Sequence, residues 1–175
     1  MANTYTLIAS STVGSGGVAD ITFSAIPSTY TDLKVVVSAR TTEAGNYQNV
    51  RLSFNGSSST YSERALRSYG GSTVDSVTGS SSSYISNIYQ NSSGSTANTF
   101  GNYEFYVPNY TSTSNAKSVS IDTVAENNAS DGFVGITAGL WNPATQAAIS
   151  SITLTQAAGT IVQYSTAYLY GIKNS

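Results

Sequence analysis

The sequence predicts an all-β fold: a two-sheet antiparallel β-sandwich, jelly-roll-like, with about nine or ten strands. Three observations predict it. The dominant hydrophobic period is two rather than 3.6. The runs that carry this period are rich in β-branched and aromatic residues. Between them lie clusters of Gly, Asn, Ser and Pro, which turn a chain. An immunoglobulin-like sandwich is the alternative, but it has fewer strands and no Cys pair supports it here.

Taken in order, residues 5–10 and 21–23 form short strand-like runs. Leu33, Val35, Val37 and Ala39 then alternate with Lys34, Val36, Ser38 and Arg40. Val50, Leu52 and Phe54 alternate with Arg51 and Ser53, and residues 84–89 form another short run. Tyr103, Phe105 and Val107 alternate with Glu104 and Tyr106; Val119 and Ile121 alternate with Ser118, Ser120 and Asp122. Val134, Ile136, Ala138 and Leu140 alternate with Phe133, Gly135, Thr137 and Gly139. Ile152 and Leu154, then Ala167 and Leu169, complete the series. In each run the apolar set marks the face expected to be buried. Residues 145–148 suit one helical turn. The low-complexity stretches 57–59, 72–83 and 91–98 read as loops, and residues 55–99 are expected to form long excursions at one end of the sandwich. Residues 1–175 read as a single domain, with 1–10 either a first strand or an N-terminal arm.

Composition excludes more than it assigns. Charged residues make up 9% of the chain, against about 25% in an ordinary domain. Ser, Thr, Asn and Gln (31, 22, 14 and 5) supply 72 of the 175 positions instead. Cys and His are absent, which excludes disulfides, thiolate zinc sites, Cys or His catalysis and His-ligated metals. A formal charge of −2 excludes a generic nucleic-acid binder, which needs a dense basic footprint. No run reaches the roughly 18 apolar residues of a membrane helix. The start of the chain has no basic segment and no long apolar stretch, so synthesis in a cytosol is expected. Few charges also mean little repulsion between copies, which suits a protein that lives within an assembly.

Several motifs have both a chemical and a structural reading. Gly14-Ser15-Gly16-Gly17-Val18-Ala19 matches a dinucleotide fingerprint, but Ile21-Thr22-Phe23 continues as a strand, so a hairpin turn is the better reading. Ser114-Asn115-Ala116-Lys117 matches S-x-x-K, yet it precedes a strand where that motif needs a helix. The segment 126–132 clusters Glu126, Asn127, Asn128, Asp131 and Gly132, a composition that suits calcium and suits an ordinary hairpin loop better. Glu104, with Glu43 as a partner, is the weak candidate for a glycosidase pair. Lys34, Arg40, Arg51, Arg64 and Arg67 outnumber Glu43 and Glu63 in the segment 34–67; solvated surface is the plain reading and a patch for an acidic partner the sharper one. Trp141 precedes Asn142-Pro143 at a strand end and suits corner packing, with an interface or sugar platform as the alternatives. Asn55-Gly56 is the clearest turn signal and is purely structural. None of these motifs assigns a catalytic, cofactor-binding or metal residue.

Five local patterns together resemble a group of tailed-phage virion structural proteins of the kind found in marine and cyanobacterial phages. They are Ile21-Thr22-Phe23-Ser24-Ala25-Ile26-Pro27 with Tyr30-Thr31-Asp32-Leu33; Leu52-Ser53-Phe54-Asn55-Gly56 with Tyr61-Ser62 and Leu66; Val107-Pro108-Asn109-Tyr110-Thr111 with Lys117; Gly139-Leu140-Trp141-Asn142 with Ala148-Ile149-Ser150-Ser151-Ile152-Thr153-Leu154; and Ser165-Thr166-Ala167-Tyr168-Leu169-Tyr170-Gly171-Ile172-Lys173. Together they span roughly residues 20 to 173. Proteins of this kind serve as head decoration proteins, tail-associated adaptors or fibre modules. The resemblance implies a non-enzymatic protein on the capsid surface, with the major capsid protein as partner. No cofactor is expected, and because symmetric sites favour symmetric ligands, a homo-oligomer is expected, a trimer at a local threefold. The resemblance also implies a runner-up, a tail or fibre module that binds host glycans. One departure is Ser57-Ser58 after the Asn-Gly turn, where similar sequences often carry an acid.

Overall fold

The structure is a computed structural model that describes residues 4–70, 73–128 and 131–173. Among the described residues, twelve strands form two antiparallel sheets: β1 (Tyr5–Thr12), β2 (Asp20–Phe23), β3 (Asp32–Ala39), β4 (Tyr47–Phe54), β5 (Tyr61–Tyr69), β6 (Thr73–Ser82), β7 (Ile85–Asn91), β8 (Gly101–Val107), β9 (Lys117–Ala125), β10 (Phe133–Trp141), β11 (Ile152–Gln156) and β12 (Thr166–Ile172). The larger sheet runs β1-β12-β3-β8-β9-β10-β5-β6 and the smaller β2-β11-β4-β7.

These two orders contain a jelly roll. Remove β5, β6, β9 and β10, and the remaining strands pair as β1 with β12, β2 with β11, β3 with β8 and β4 with β7. That is a long antiparallel hairpin wrapped into two four-stranded sheets, joined laterally by β12–β3 and β11–β4. The four remaining strands enter as two insertions. β5 and β6 lie between β4 and β7, and β9 and β10 between β8 and β11. All four extend one sheet past β8, making a wing that the smaller sheet only partly covers.

The core lies between the sheets. Leu33, Val35 and Val37 of β3 face Val50, Leu52 and Phe54 of β4 across it, joined by Phe105, Ile121, Leu154 and Leu169, all fully or nearly fully buried. These are the apolar sets that alternation marks as buried. Gly171 is required by packing: a Cβ there would lie 2.3 Å from Cγ of Tyr30, whose ring covers the strand.

Four expectations need correction. Among the described residues the strands number twelve, not nine or ten, because β5 and β6 lie in stretches that show no apolar alternation. The 72–83 stretch is not a loop: most of it is β6, and with β5 it forms a hairpin on the larger sheet. β6 is an edge strand, half-exposed or exposed along its described side chains, so neither face needs to be apolar. Residues 145–148 form no helical turn; Gln146 Nε2 instead donates to Asn142 Oδ1 (2.8 Å) and Pro143 O (2.9 Å), holding the segment in bends and extended backbone. Of the two readings left open for residues 5–10, the first strand holds: they lie in β1, paired with β12 of the same chain, and residues 1–3 lie outside the described residues.

The fourth correction concerns β10. Alternation assigns Val134, Ile136, Ala138 and Leu140 to the core, yet the buried residues are Phe133, Gly135, Thr137, Gly139 and Trp141. Space decides this. A Cβ on Gly139 would lie 2.6 Å from Ile85 Cδ1 and 2.7 Å from Val119 Cγ1. The inner face of β10 therefore takes small residues where β7 packs closely and lets Trp141 and Phe133 fill the ends. The aliphatic face is turned to solvent.

Candidate docking surface

The motif candidates are structural. Gly14–Gly17 is a turn, closed by Gly17 N donating to Gly14 O (3.1 Å) with Gly17 at φ +64°. It is not a hairpin turn, because β1 and β2 belong to different sheets. Asn55 and Gly56 both have positive φ, and Ser57 N closes the turn on Phe54 O (2.9 Å). The Asn55 side chain also anchors a distant loop, accepting from Ser150 N (2.8 Å) and Ser151 N (3.0 Å) and donating to Ala148 O (2.8 Å). Lys117 does not activate Ser114. Its Nζ is buried and donates to the carbonyls of Ser112 (2.7 Å) and Asn115 (2.6 Å), tying down the loop before β9. Burial lowers its pKa.

The segment 126–132 joins β9 to β10 as a hairpin loop. Its donors are turned inward: Glu126 Oε1 accepts from Asn128 N (2.8 Å) and Asn127 Nδ2 donates to Asp131 O (3.0 Å). Ala129 and Ser130 lie outside the described residues. Glu104 and Glu43 are not brought together: Glu104 is on β8, whereas Glu43 follows β3 and its carbonyl binds Ser93 N (2.9 Å). Glu104 instead sits in register with Asp122, and Lys34 Nζ bonds Glu104 Oε1 at 2.8 Å. Trp141 is buried, tilted against Phe54 and stacked on Tyr61, with centroid distances of 5.9 and 6.4 Å. It is a core residue and offers no sugar platform.

The basic residues do not form a patch. Arg40 donates to the carbonyls of Ser93, Ser95, Thr96 and Thr99 at 2.8–3.2 Å and so organises the loop 92–99. Arg67 grips Asp75 with two bonds (2.9 and 3.2 Å) and donates to Asn87 Oδ1 (2.8 Å). Lys34 is paired with Glu104, and Arg51 lies on the other sheet, 4.6 Å over the Tyr84 ring.

What the structure does bring together is an apolar surface. Strand pairing sets the outer face of the larger sheet as a grid of cross-strand neighbours. One row across the wing reads Ser76, Leu66, Ile136, Asp122, Glu104; the next reads Val74, Ser68, Val134, Val124, Asn102. Leu66, Val134 and Ile136 are 51–55% exposed and Val74 is 73% exposed. The wing is dished, forming a trough of about 580 Å³ lined by Leu66, Ile136 and Ala138, with Arg64 and Asp122 also on its walls. At the far end of the sheet a tyrosine-rich row reads Leu7, Tyr170, Lys34, Tyr106, with Tyr5 diagonal to Tyr170. Tyr5 and Tyr170 meet edge to face at 6.4 Å. The Tyr106 hydroxyl donates to Asp32 Oδ2 (2.7 Å), and that bond, with burial behind it, pushes its pKa up to about 12.

The opposite surface is different in kind. The outer face of the smaller sheet pairs Thr22 with Thr153, Thr153 with Ser53, and Thr155 with Asp20 and Arg51. Among the described residues, none of the exposed large apolar side chains lies on its four strands; nine of the eleven lie on the larger sheet. Scattered exposed apolar residues are ordinary, whereas a contiguous set on one face marks a surface that meets something. Alternation located Val134 and Ile136 and assigned both to the core; Leu66 and Val124 belong to no alternating run, and Val74 lies in a stretch that reads as a loop. No helix among the described residues is long and apolar enough to cross a membrane. No protein-family model matches the chain, and no curated protein or solved structure matches it significantly.

Proposed function

We propose that this chain is a non-enzymatic structural protein of a tailed phage that decorates and cements the head by binding the assembled capsid lattice. In this reading the larger sheet faces the major capsid protein and the threonine-rich smaller sheet faces water. The observation that carries it is the contrast between the two outer faces, above all the outward aliphatic face of β10. The sequence resemblance and the sparse charge support the same reading.

Energetics favour an oligomer. Burying a half-exposed aliphatic side chain gains on the order of 1 kcal/mol. Leu66, Val74, Val134 and Ile136 together then supply about 4 kcal/mol, no more than the lower range of what association costs in lost freedom. One copy alone binds weakly. Several copies held together share that cost and act by avidity. Because only assembled lattice offers the joint between subunits, occupancy stabilises the assembled head by mass action.

The tyrosine row supports a second reading, a tail or fibre module that stacks host sugars on Tyr5, Tyr106 and Tyr170. Mass-spectrometric counting of this chain in fractionated virions separates the two. Copies in numbers comparable to the major capsid protein, in tail-free heads, are expected for decoration. A few copies confined to tails would favour the glycan module, and absence from every virion fraction would remove both.

A further inference from the structure

The two sheets have four edges, and three are protected. β2 is only four residues long. β1 is broken by a bulge between Leu7 and Ala9. β7 is capped by side chains from the wing. Thr123 Oγ1 accepts from Tyr89 N (3.0 Å) and donates to Tyr89 O (2.8 Å), Glu63 Oε2 accepts from Ser86 N (2.7 Å), and Thr137 Oγ1 donates to Asn87 O (3.2 Å). Short strands, bulges and covered edges are the usual ways a protein prevents strand addition.

β6 lacks these over most of its length: its one bulge lies at the C-terminal end, between Gly79 and Ser82. The strand is ten residues long, TVDSVTGSSS, without Lys or Pro, and among the described residues β5 is its sole strand neighbour. Its one charge, Asp75, is held by Arg67 of its own hairpin. The irregularity in its pairing lies opposite Tyr61 and Glu63, so Thr73–Gly79 is a regular strand with an open edge.

We infer that β6 is a self-association edge: two copies of this chain pair β6 against β6 antiparallel, about a twofold axis at Ser76. The axis follows from the strand. Rotation about the sheet normal keeps outward residues outward, so paired positions share a face and the axis must pass through a residue. An axis at Ser76 centres the regular segment 73–79 and sets Val74 opposite Thr78 of the second copy. An axis at Asp75 would oppose two carboxylates, which like-charge repulsion disfavours. The pairing joins two wings into one sheet, with Leu66 and Val74 of each copy beside the seam. The inference goes beyond the capsid reading and stands whatever the joined sheet binds. It replaces the expected trimer with a twofold unit.

The absence of cysteine makes the test clean, since one introduced thiol is the only one present. Directly opposed residues of antiparallel strands lie about 4.5–5.5 Å apart at Cα, within disulfide range. Ser76→Cys should cross-link to a covalent dimer under mild oxidation, while Ser38→Cys on the same face should not. Sedimentation equilibrium of the unmodified chain should show a dimer, and Ser76→Lys, an exposed change that leaves the fold's circular dichroism intact, should weaken it about tenfold or more. A monomer at every concentration would overturn the inference. So would a dimer insensitive to Ser76→Lys, or cross-linking of a Ser76→Cys copy only to a Ser10→Cys copy, which would mean a head-to-tail ring through β1.

Discussion

Tyrosine carries much of this protein's packing, and its pH dependence follows. Burial raises the pKa of Tyr103, and the bond to Asp32 raises that of Tyr106 to about 12. Between pH 10 and about 12 the folded chain keeps protons that the unfolded chain releases. Stability therefore falls as pH rises through this window. Lys117 has the opposite sign. Its folded pKa lies below 10.5, so up to that pH the unfolded chain binds the extra proton and stability gains as pH rises. Melting temperatures across alkaline pH should thus hold up to about pH 10 and then drop, with Tyr106→Phe softening the drop. A profile that keeps rising above pH 11 would contradict these assignments. At Gly171, the clash of any Cβ with Tyr30 predicts that Gly171→Ala loses about 1–3 kcal/mol in denaturant unfolding, because a well-packed ring must move.

The elements differ in how far sequence exposes them. β3, β8, β9, β11 and β12 are legible because each buries one face against the smaller or larger sheet, and their apolar residues follow period two. β5 is not legible. It turns Glu63 inward to cap β7 and Leu66 outward, so its charge and its leucine both sit on the unexpected side. β10 reads clearly as a strand and wrongly in facing, since nothing in one sequence reveals that Ile85 and Val119 leave no room at Gly139. Pairings such as β1 with β12 join opposite ends of the chain and leave no local trace. The apolar outer face was thus only partly visible: Val134 and Ile136 stand out in an alternating run, Val74 lies in a stretch that reads as a loop, and the close approach of β7 at Gly139 turns the β10 pair outward. The capping account of β7 predicts that Glu63→Ala, which strands Ser86 N and Asn87 Nδ2, costs about 3 kcal/mol. Thr123→Val, which uncaps Tyr89, should cost about 1–3 kcal/mol. Hydrogen exchange at Tyr89 should accelerate in Thr123→Val while β3 amides stay protected; equal acceleration in both would mean global destabilisation rather than loss of a cap.

For the whole molecule, the division of labour lies between scaffold and wing. The eight jelly-roll strands enclose most of the core, and the inserted β5, β6, β9 and β10 carry Leu66, Val74, Val124, Val134 and Ile136 outward. In the proposed reading this surface binds by apolar burial, so its grip on the lattice should change little between low and moderate salt, unlike one built on charge. For the proposed capsid reading, the most direct measurement is co-sedimentation of the purified chain with tail-free heads that lack this chain. Two charged variants are compared: Ile136→Lys on the larger sheet and Thr22→Lys on the smaller, both exposed. The account predicts that Thr22→Lys binds as the unmodified chain does and Ile136→Lys binds at least about tenfold more weakly, since a buried unpaired charge costs more than 1.4 kcal/mol. Undiminished binding by Ile136→Lys, or loss of binding by Thr22→Lys instead, would contradict it.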